Sequence, residues 1–231
     1  EIGLNLNWKY AKNAKINTGK AILFTSDSKN PKKITIAVNA GHGTKGGEKL
    51  RTLCHPDGTR KVTGGTNAAG STTAMAVSSG MTFKDGTKEA TVTLQMGHIF
   101  AKKLLDQGYD VLLIRDGEDV QLDNVARTVL ANNKADAHIA LHWDSTEKDK
   151  GAFFMSVPDA LKRMEPVSSH WESHEKLGES LIAGLKAKGV KIFSKGSMDM
   201  DLTQTSYSTI PSVDIELGDK ISDHSEKQLN L

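Results

Sequence analysis

Runs of consecutive aliphatic and β-branched residues alternate along this chain with stretches of helical spacing. Lys33–Asn39 (KITIAVN) is the first clear run; it lies between Pro31 and Gly41 and predicts a buried strand. Glu89–Gln107 shows helical spacing, with Val92, Met96, Ile99 or Phe100, and Lys103 or Leu104 marking one side and Gly108 as a closing cap, and predicts a helix. Tyr109–Arg115 (YDVLLIR) reads as a second strand, Asn124–Asn133 as a helix and Ala137–His142 as a third strand. Gly151–Val157 predicts a fourth strand, and Ser173–Lys188 a helix with Leu177, Leu181, Ile182 and Leu185 on its apolar face. Gly189–Phe193 and Ser212–Leu217 supply further strand material.

This alternation predicts an α/β fold: one domain with a mostly parallel or mixed central sheet flanked by helices. Two segments stand outside the pattern. Residues 1–32 are polar, with one apolar patch at Ala21–Phe24, and read as a lead-in strand or hairpin before the main unit over 33–231. Residues 44–88 are rich in Gly, Thr and Ser and too long for a structureless connection, so they are expected to form hairpins or a short helix that walls a site. They read as an insertion after the first strand.

Composition narrows the picture without redirecting it. A length of 231 residues suits one sizeable core. The 30 Lys and Arg are scattered among 28 Asp and Glu, and aromatics make up 5%, so no basic, aromatic-laced stripe marks a nucleic-acid groove. Cys54 is the single cysteine; it rules out an intramolecular disulfide or a thiolate metal cluster and reads as a small buried apolar residue. No apolar run approaches the roughly 18 residues of a membrane span, and no signal-peptide pattern stands at the N-terminus.

Any metal site must therefore use His and carboxylates. His42 sits in AGHG directly after the first strand, where flanking glycines allow a tight turn. His142 closes the third strand, and Glu89 opens the long helix after the insertion. Each residue alone has a plainer reading: a turn histidine, a strand-end histidine, and a first-turn carboxylate favoured by the helix dipole. Together, two His and one carboxylate match the ligand set of a catalytic zinc with a position open for water. A second cluster, His170, Glu172 and His174, has helical i, i+4 spacing but no apolar shell, and reads as a solvated surface. His55, His98, His138 and His224 receive no role.

The set resembles the zinc-dependent N-acetylmuramoyl-L-alanine amidases of the family-3 type, from about Ile34 to Gly218. The motifs stand in family order: AGHG, Glu89 at a helix start, GYDVLLIRD, LDNVARTVLANNKADAHIALH ending on His142, and SVDIELGD with Glu216. The stretch Leu122, Arg127, Ala131, Asn132, followed by a strand ending in His, is the most specific part. The resemblance implies that His42, Glu89 and His142 hold one zinc ion and that Glu216 is the catalytic carboxylate. Arg127 becomes a supporting residue, beside the reading of a helix arginine bonded to neighbouring backbone or a carboxylate. Glu89 is preferred over Glu48 because it precedes an amphipathic helix.

Two departures stand out. Where the family has Ser-x-His-x-Asn-Ala, this chain has Ala140, Leu141, His142, Trp143, Asp144 and Ser145, and its 44–88 insertion is longer than the usual loop. The resemblance implies a peptidoglycan substrate, action outside the cytoplasm in cell-wall turnover or lysis, and a monomer. Two rival functions remain: a zinc peptidase acting on stem peptides, and a non-catalytic wall-binding module that keeps the fold.

Overall fold

The buried runs become strands of one eight-stranded sheet in the computed structural model, which describes residues 1–231. In chain order the strands are β1 (Ile2–Gly3), β2 (Lys20–Phe24), β3 (Thr35–Ala40), β4 (Arg51–Leu53), β5 (Thr73–Met75), β6 (Asp110–Leu113), β7 (Ala137–Asp144), β8 (Ala152–Ser156), β9 (Ile192–Asp199) and β10 (Ser212–Asp219). The helices are α1 (Glu89–Asp106), α2 (Asn124–Lys134), α3 (Trp171–Ala187), α4 (Thr203–Tyr207) and α5 (Glu226–Leu229). The sheet order is β1-β2-β6-β3-β7-β10-β8-β9, with β4 and β5 apart as a two-stranded ribbon.

Strands β6, β3, β7 and β10 run parallel at the centre, and the antiparallel β2 and β8 flank them. Both faces of the centre are covered, which is why its strands read as continuous apolar runs instead of alternating ones. On one face Ile36, Val38, Val111, Leu113, Ile139, Leu141, Val213 and Ile215 pack under α1 and α3. On the other, Ala37, Leu112 and Ile114 pack against Val125, Val129 and Leu130 of α2. On this second face β7 and β10 carry the polar His138, His142, Asp214 and Glu216 around Ala140.

That polar strip lies where the topology opens a crevice. The chain leaves β3 through α1 on one face and enters β7 from α2 on the other, so the C-terminal ends of these adjacent strands lie at a switch in winding. Ligands of open α/β sheets bind at such points.

The lead-in segment is built into the sheet. β2 pairs with β6 through Ile22 with Leu113 and Phe24 with Val111, and Ala11, Ala14 and Ala21 join the α2-side core. Asp123 fastens it: its carboxylate accepts the Ala126 N–H at 2.8 Å to cap α2, and accepts the N–H groups of Lys15 at 2.6 Å and Ile16 at 2.9 Å. A cap of this kind contributes about 1 kcal/mol.

Two expectations need correction. The strand expected at Gly189–Phe193 instead runs over Ile192–Asp199. As the sheet's edge it leaves Ser194 and Lys195 exposed, so no apolar alternation marks it. His174 is not solvated: it lies in line with Gly178 and Ile182 on the inner face of α3, and its Nδ1 accepts the Ser212 N–H at 2.9 Å. Burial holds its pKa down at about 4, so it is a neutral anchor for the start of β10.

Candidate metal centre

His42 follows β3 with φ +66°, a left-handed conformation costly for a side chain bearing Cβ. The glycines beside it serve different ends. Gly41 stays in register with β7, its N–H donating to the Leu141 carbonyl at 3.1 Å, while Gly43 takes φ +75° against the Arg115 guanidinium.

Two buried arginines hold this turn. Arg127 donates to the Asn39 side chain at 3.0 Å and to the carbonyls of Ala40 at 3.1 Å and His42 at 2.7 Å. Arg115 donates to the carbonyls of Ala40 at 3.2 Å and Gly41 at 3.1 Å. Burial, then repulsion from Arg115, lowers Arg127 to about 9, and burial lowers Arg115 to about 10; both stay charged at neutral pH. Arg127 thus acts on backbone, and on the carbonyl of His42 in particular. Arg115 escaped the sequence reading because it ends the apolar run YDVLLIR like any residue leaving a strand.

The three expected ligands come together. Glu89 Oε1 lies 2.9 Å from His42 Nε2 and 3.3 Å from His142 Nδ1, and the two ring nitrogens are 3.1 Å apart. The rings meet edge-on at 90° with centroids 4.7 Å apart. His42 donates from Nδ1 to the Ser78 carbonyl at 2.7 Å, which leaves the Nε2 lone pair facing its neighbours. Three electron-pair donors turned on one point need a proton or a cation between them, and this group could hold a metal ion. Glu48, by contrast, is exposed on the short turn Gly47–Lys49.

Glu89 is fixed by backbone. Oε1 accepts the Trp143 N–H at 3.0 Å and Oε2 accepts the Met81 N–H at 2.9 Å. Burial pushes its pKa up, but the His142 and His42 imidazoles beside it outweigh this and hold the carboxyl below the usual range. Burial likewise pulls the His142 imidazolium down, yet Asp214, Glu89 and Glu216 overcome it and push the ring up to about 10.

Glu216 lies opposite His142 in the β10–β7 register. Its Oε2 is buried with no hydrogen-bond partner, and burial, with repulsion from Asp214 and Glu89, raises its pKa well above the ordinary value. Asp214, two residues earlier on the same face, brings Oδ2 within 3.4 Å of His142 Nε2. Its one mark in the sequence is an Asp between Val213 and Ile215, in step with Glu216, and no role is expected of it from the sequence.

These groups line a cleft of about 490 Å³. The insertion supplies one wall through Asn67, Met75, Ser78, Gly80 and Met81. Met155, Met198 and Met200 face the cleft from β8 and the end of β9, giving an apolar and adaptable lining. No helix is long and apolar enough to cross a membrane.

The family model for N-acetylmuramoyl-L-alanine amidases matches residues 36–230. The chain belongs to this family. Solved structures agree on the fold. The N-acetylmuramyl-L-alanine amidase Ami1 of Mycobacterium smegmatis is 16% identical, with a TM-score of 0.68 over 87% of this chain and 92% of that one. Ami1 of Mycobacterium abscessus is 19% identical, with a TM-score of 0.62 over 86% and 92%. The amidase AmiC2 of Nostoc punctiforme is 18% identical, with a TM-score of 0.54 over 87% and 91%. No curated protein sequence matches the chain. The amidase departs from the family pattern around His142, and the structure shows how two of those positions are used. Trp143 donates its backbone N–H to Glu89 and buries its ring against Phe83, while Asp144 pairs with Lys150 at 2.6 Å.

Proposed function

We propose that this amidase hydrolyses the amide joining N-acetylmuramic acid to L-alanine in peptidoglycan, outside the cytoplasm, with one zinc ion held by His42, Glu89 and His142 and with Glu216 as the catalytic carboxylate. The observation that carries the reading is the convergence of three donors beside a buried carboxylate with a free oxygen. The donor set fits zinc: ligands at about 2.0–2.1 Å from one tetrahedral ion lie about 3.3 Å apart. The separations here are 2.9, 3.1 and 3.3 Å. When bound, zinc would lower the pKa of its water toward about 7 and polarise the scissile carbonyl.

The chain's own residues do the rest. Glu216 accepts a proton from the attacking water and returns one to the leaving nitrogen. A C–O bond forms, the C–N bond breaks, and the products are a lactyl carboxylate and the amine of L-alanine. Arg127 keeps the His42 turn in place through the backbone. Residues 33–231 form the catalytic unit in this reading, with residues 1–32 as its lead-in and 44–88 as the cleft wall.

Digestion of purified peptidoglycan by the zinc-loaded and chelator-treated protein tests this directly. Intact stem peptides with a new L-alanine amine, released by the loaded protein alone, are expected. Cleavage within the stem peptide would make the chain a peptidase; zinc uptake with walls bound but uncut would make it a binding module.

A further inference from the structure

The two histidines differ in what holds the nitrogen pointing away from the donor cluster. His42 Nδ1 donates to a neutral carbonyl, that of Ser78. His142 presents Nδ1 to the cluster and leaves Nε2 facing Asp214 Oδ2 at 3.4 Å, an ion-pair separation.

Asp214 has little freedom to do anything else. Its neighbours Val213 and Ile215 are buried in the α1–α3 core, so strand alternation fixes its side chain on the His142 side of the sheet. Register pairs Asp214 with Ala140 and Glu216 with His142, so Asp214 reaches the ring diagonally from one alternate position back along β10. Only 14% of its side chain is exposed, His142 is its ion-pair partner, and its other oxygen, Oδ1, has no hydrogen-bond partner. This buried carboxylate has no lysine or arginine bonded to it, and it acts first on the His142 imidazole and then on that of His42.

We propose that Asp214 is a positioning residue for the metal centre: by accepting from Nε2–H it fixes His142 in the tautomer whose Nδ1 lone pair faces His42 and Glu89, and strengthens that nitrogen as a donor. This rests on the reading of His142 as a ligand. A carboxylate behind a ligating imidazole orients the ring and raises its basicity, and losing such a partner typically weakens metal binding about 10–100-fold. Asp214 and Glu216 then divide the work of the strip: one oxygen pair serves the ligand and the other serves the substrate.

The test is zinc affinity, measured by competition with a chromophoric chelator, on Asp214→Leu and Asp214→Asn beside the parent, together with the visible spectrum of the cobalt-loaded proteins and melting of the metal-free forms. The leucine variant is expected to bind zinc about 100-fold more weakly and to shift the cobalt bands. Asparagine keeps an acceptor oxygen without the charge, so its loss should be about tenfold. Parent-like zinc affinity and cobalt bands in both variants would overturn the assignment. Should the leucine variant fail to fold, the asparagine variant decides by the same two readouts. A parent protein that takes up no zinc overturns the metal reading itself, whereas a tight parent with indifferent variants removes Asp214 alone. Unchanged affinity with activity lost would reassign Asp214 to substrate chemistry.

Discussion

Gly41 and His142 share one space: a Cβ on Gly41 would lie 2.2 Å from His142 Cε1 and 2.6 Å from Nδ1. Gly41, the first glycine of AGHG, is therefore a seat for the second histidine. In Gly41→Ala either the ring turns or the β3 end retreats from β7, and a ligand displaced by more than about 0.5 Å leaves its working geometry. The variant should keep the parent's circular dichroism yet purify with little metal. Full zinc occupancy in elemental analysis would show that the ring relaxes in place.

Glu216→Gln separates chemistry from binding. The amide keeps the shape and cannot take up the water proton, so activity on peptidoglycan should fall about 10²–10⁴-fold while zinc per chain stays at the parent value. Retained activity would remove Glu216 from the mechanism. His42→Ala should behave in the opposite order, losing metal first and activity with it.

Much of this was legible in the chain. The central strands announced themselves because both their faces are covered, so KITIAVN and YDVLLIR had no polar alternation to obscure them. β9 did not, because an edge strand with exposed Ser194 and Lys195 offers neither period. His42 and His142 stand 100 positions apart and meet only because β3 and β7 are neighbours in the sheet. No local spacing rule connects them, and the resemblance supplied the pairing. The insertion's hold on the site, through the carbonyl of Ser78 and the N–H of Met81, uses backbone groups that carry no signature in residue types.

Without metal, the site should impress a pH dependence on stability. His142 titrates near 6.5 when unfolded and at about 10 when folded. A raised folded value means that its contribution is complete below about 6.5 and lost as pH rises through about 10. Glu89 runs the other way: its depressed folded value contributes above its ordinary 4.5 and is lost in acid. In chelator, the melting temperature should therefore decline from neutral pH toward pH about 10, and His142→Gln should flatten that part of the profile. An unchanged slope in the variant would assign the decline to other groups.

The insertion is pinned by a buried pair, and breaking it should reach the cluster of His42, Glu89 and His142. His55 and Asp201 have side chains 0% and 1% exposed, with Nε2 and Oδ2 2.8 Å apart. Asp201 also accepts the Val62 N–H at 2.8 Å, and its own N–H donates to Thr63 at 2.9 Å, so residues 55–63 are tied to the segment between β9 and α4. Removing His55 leaves the buried Asp201 carboxylate short of one hydrogen-bond donor, which costs about 1–3 kcal/mol. The loosened segment is continuous with Ser78, whose carbonyl holds His42, and with Met81, whose N–H holds Glu89. His55→Ala should therefore release Lys61, buried beside the exposed Arg60, to trypsin before the sheet unfolds and weaken zinc binding, although His55 touches none of the three donors. Faster cleavage with parent-like zinc affinity would confine the pair to anchoring the loop. Parent-like rates on both counts would mean that Val62 and Thr63 hold the insertion without it.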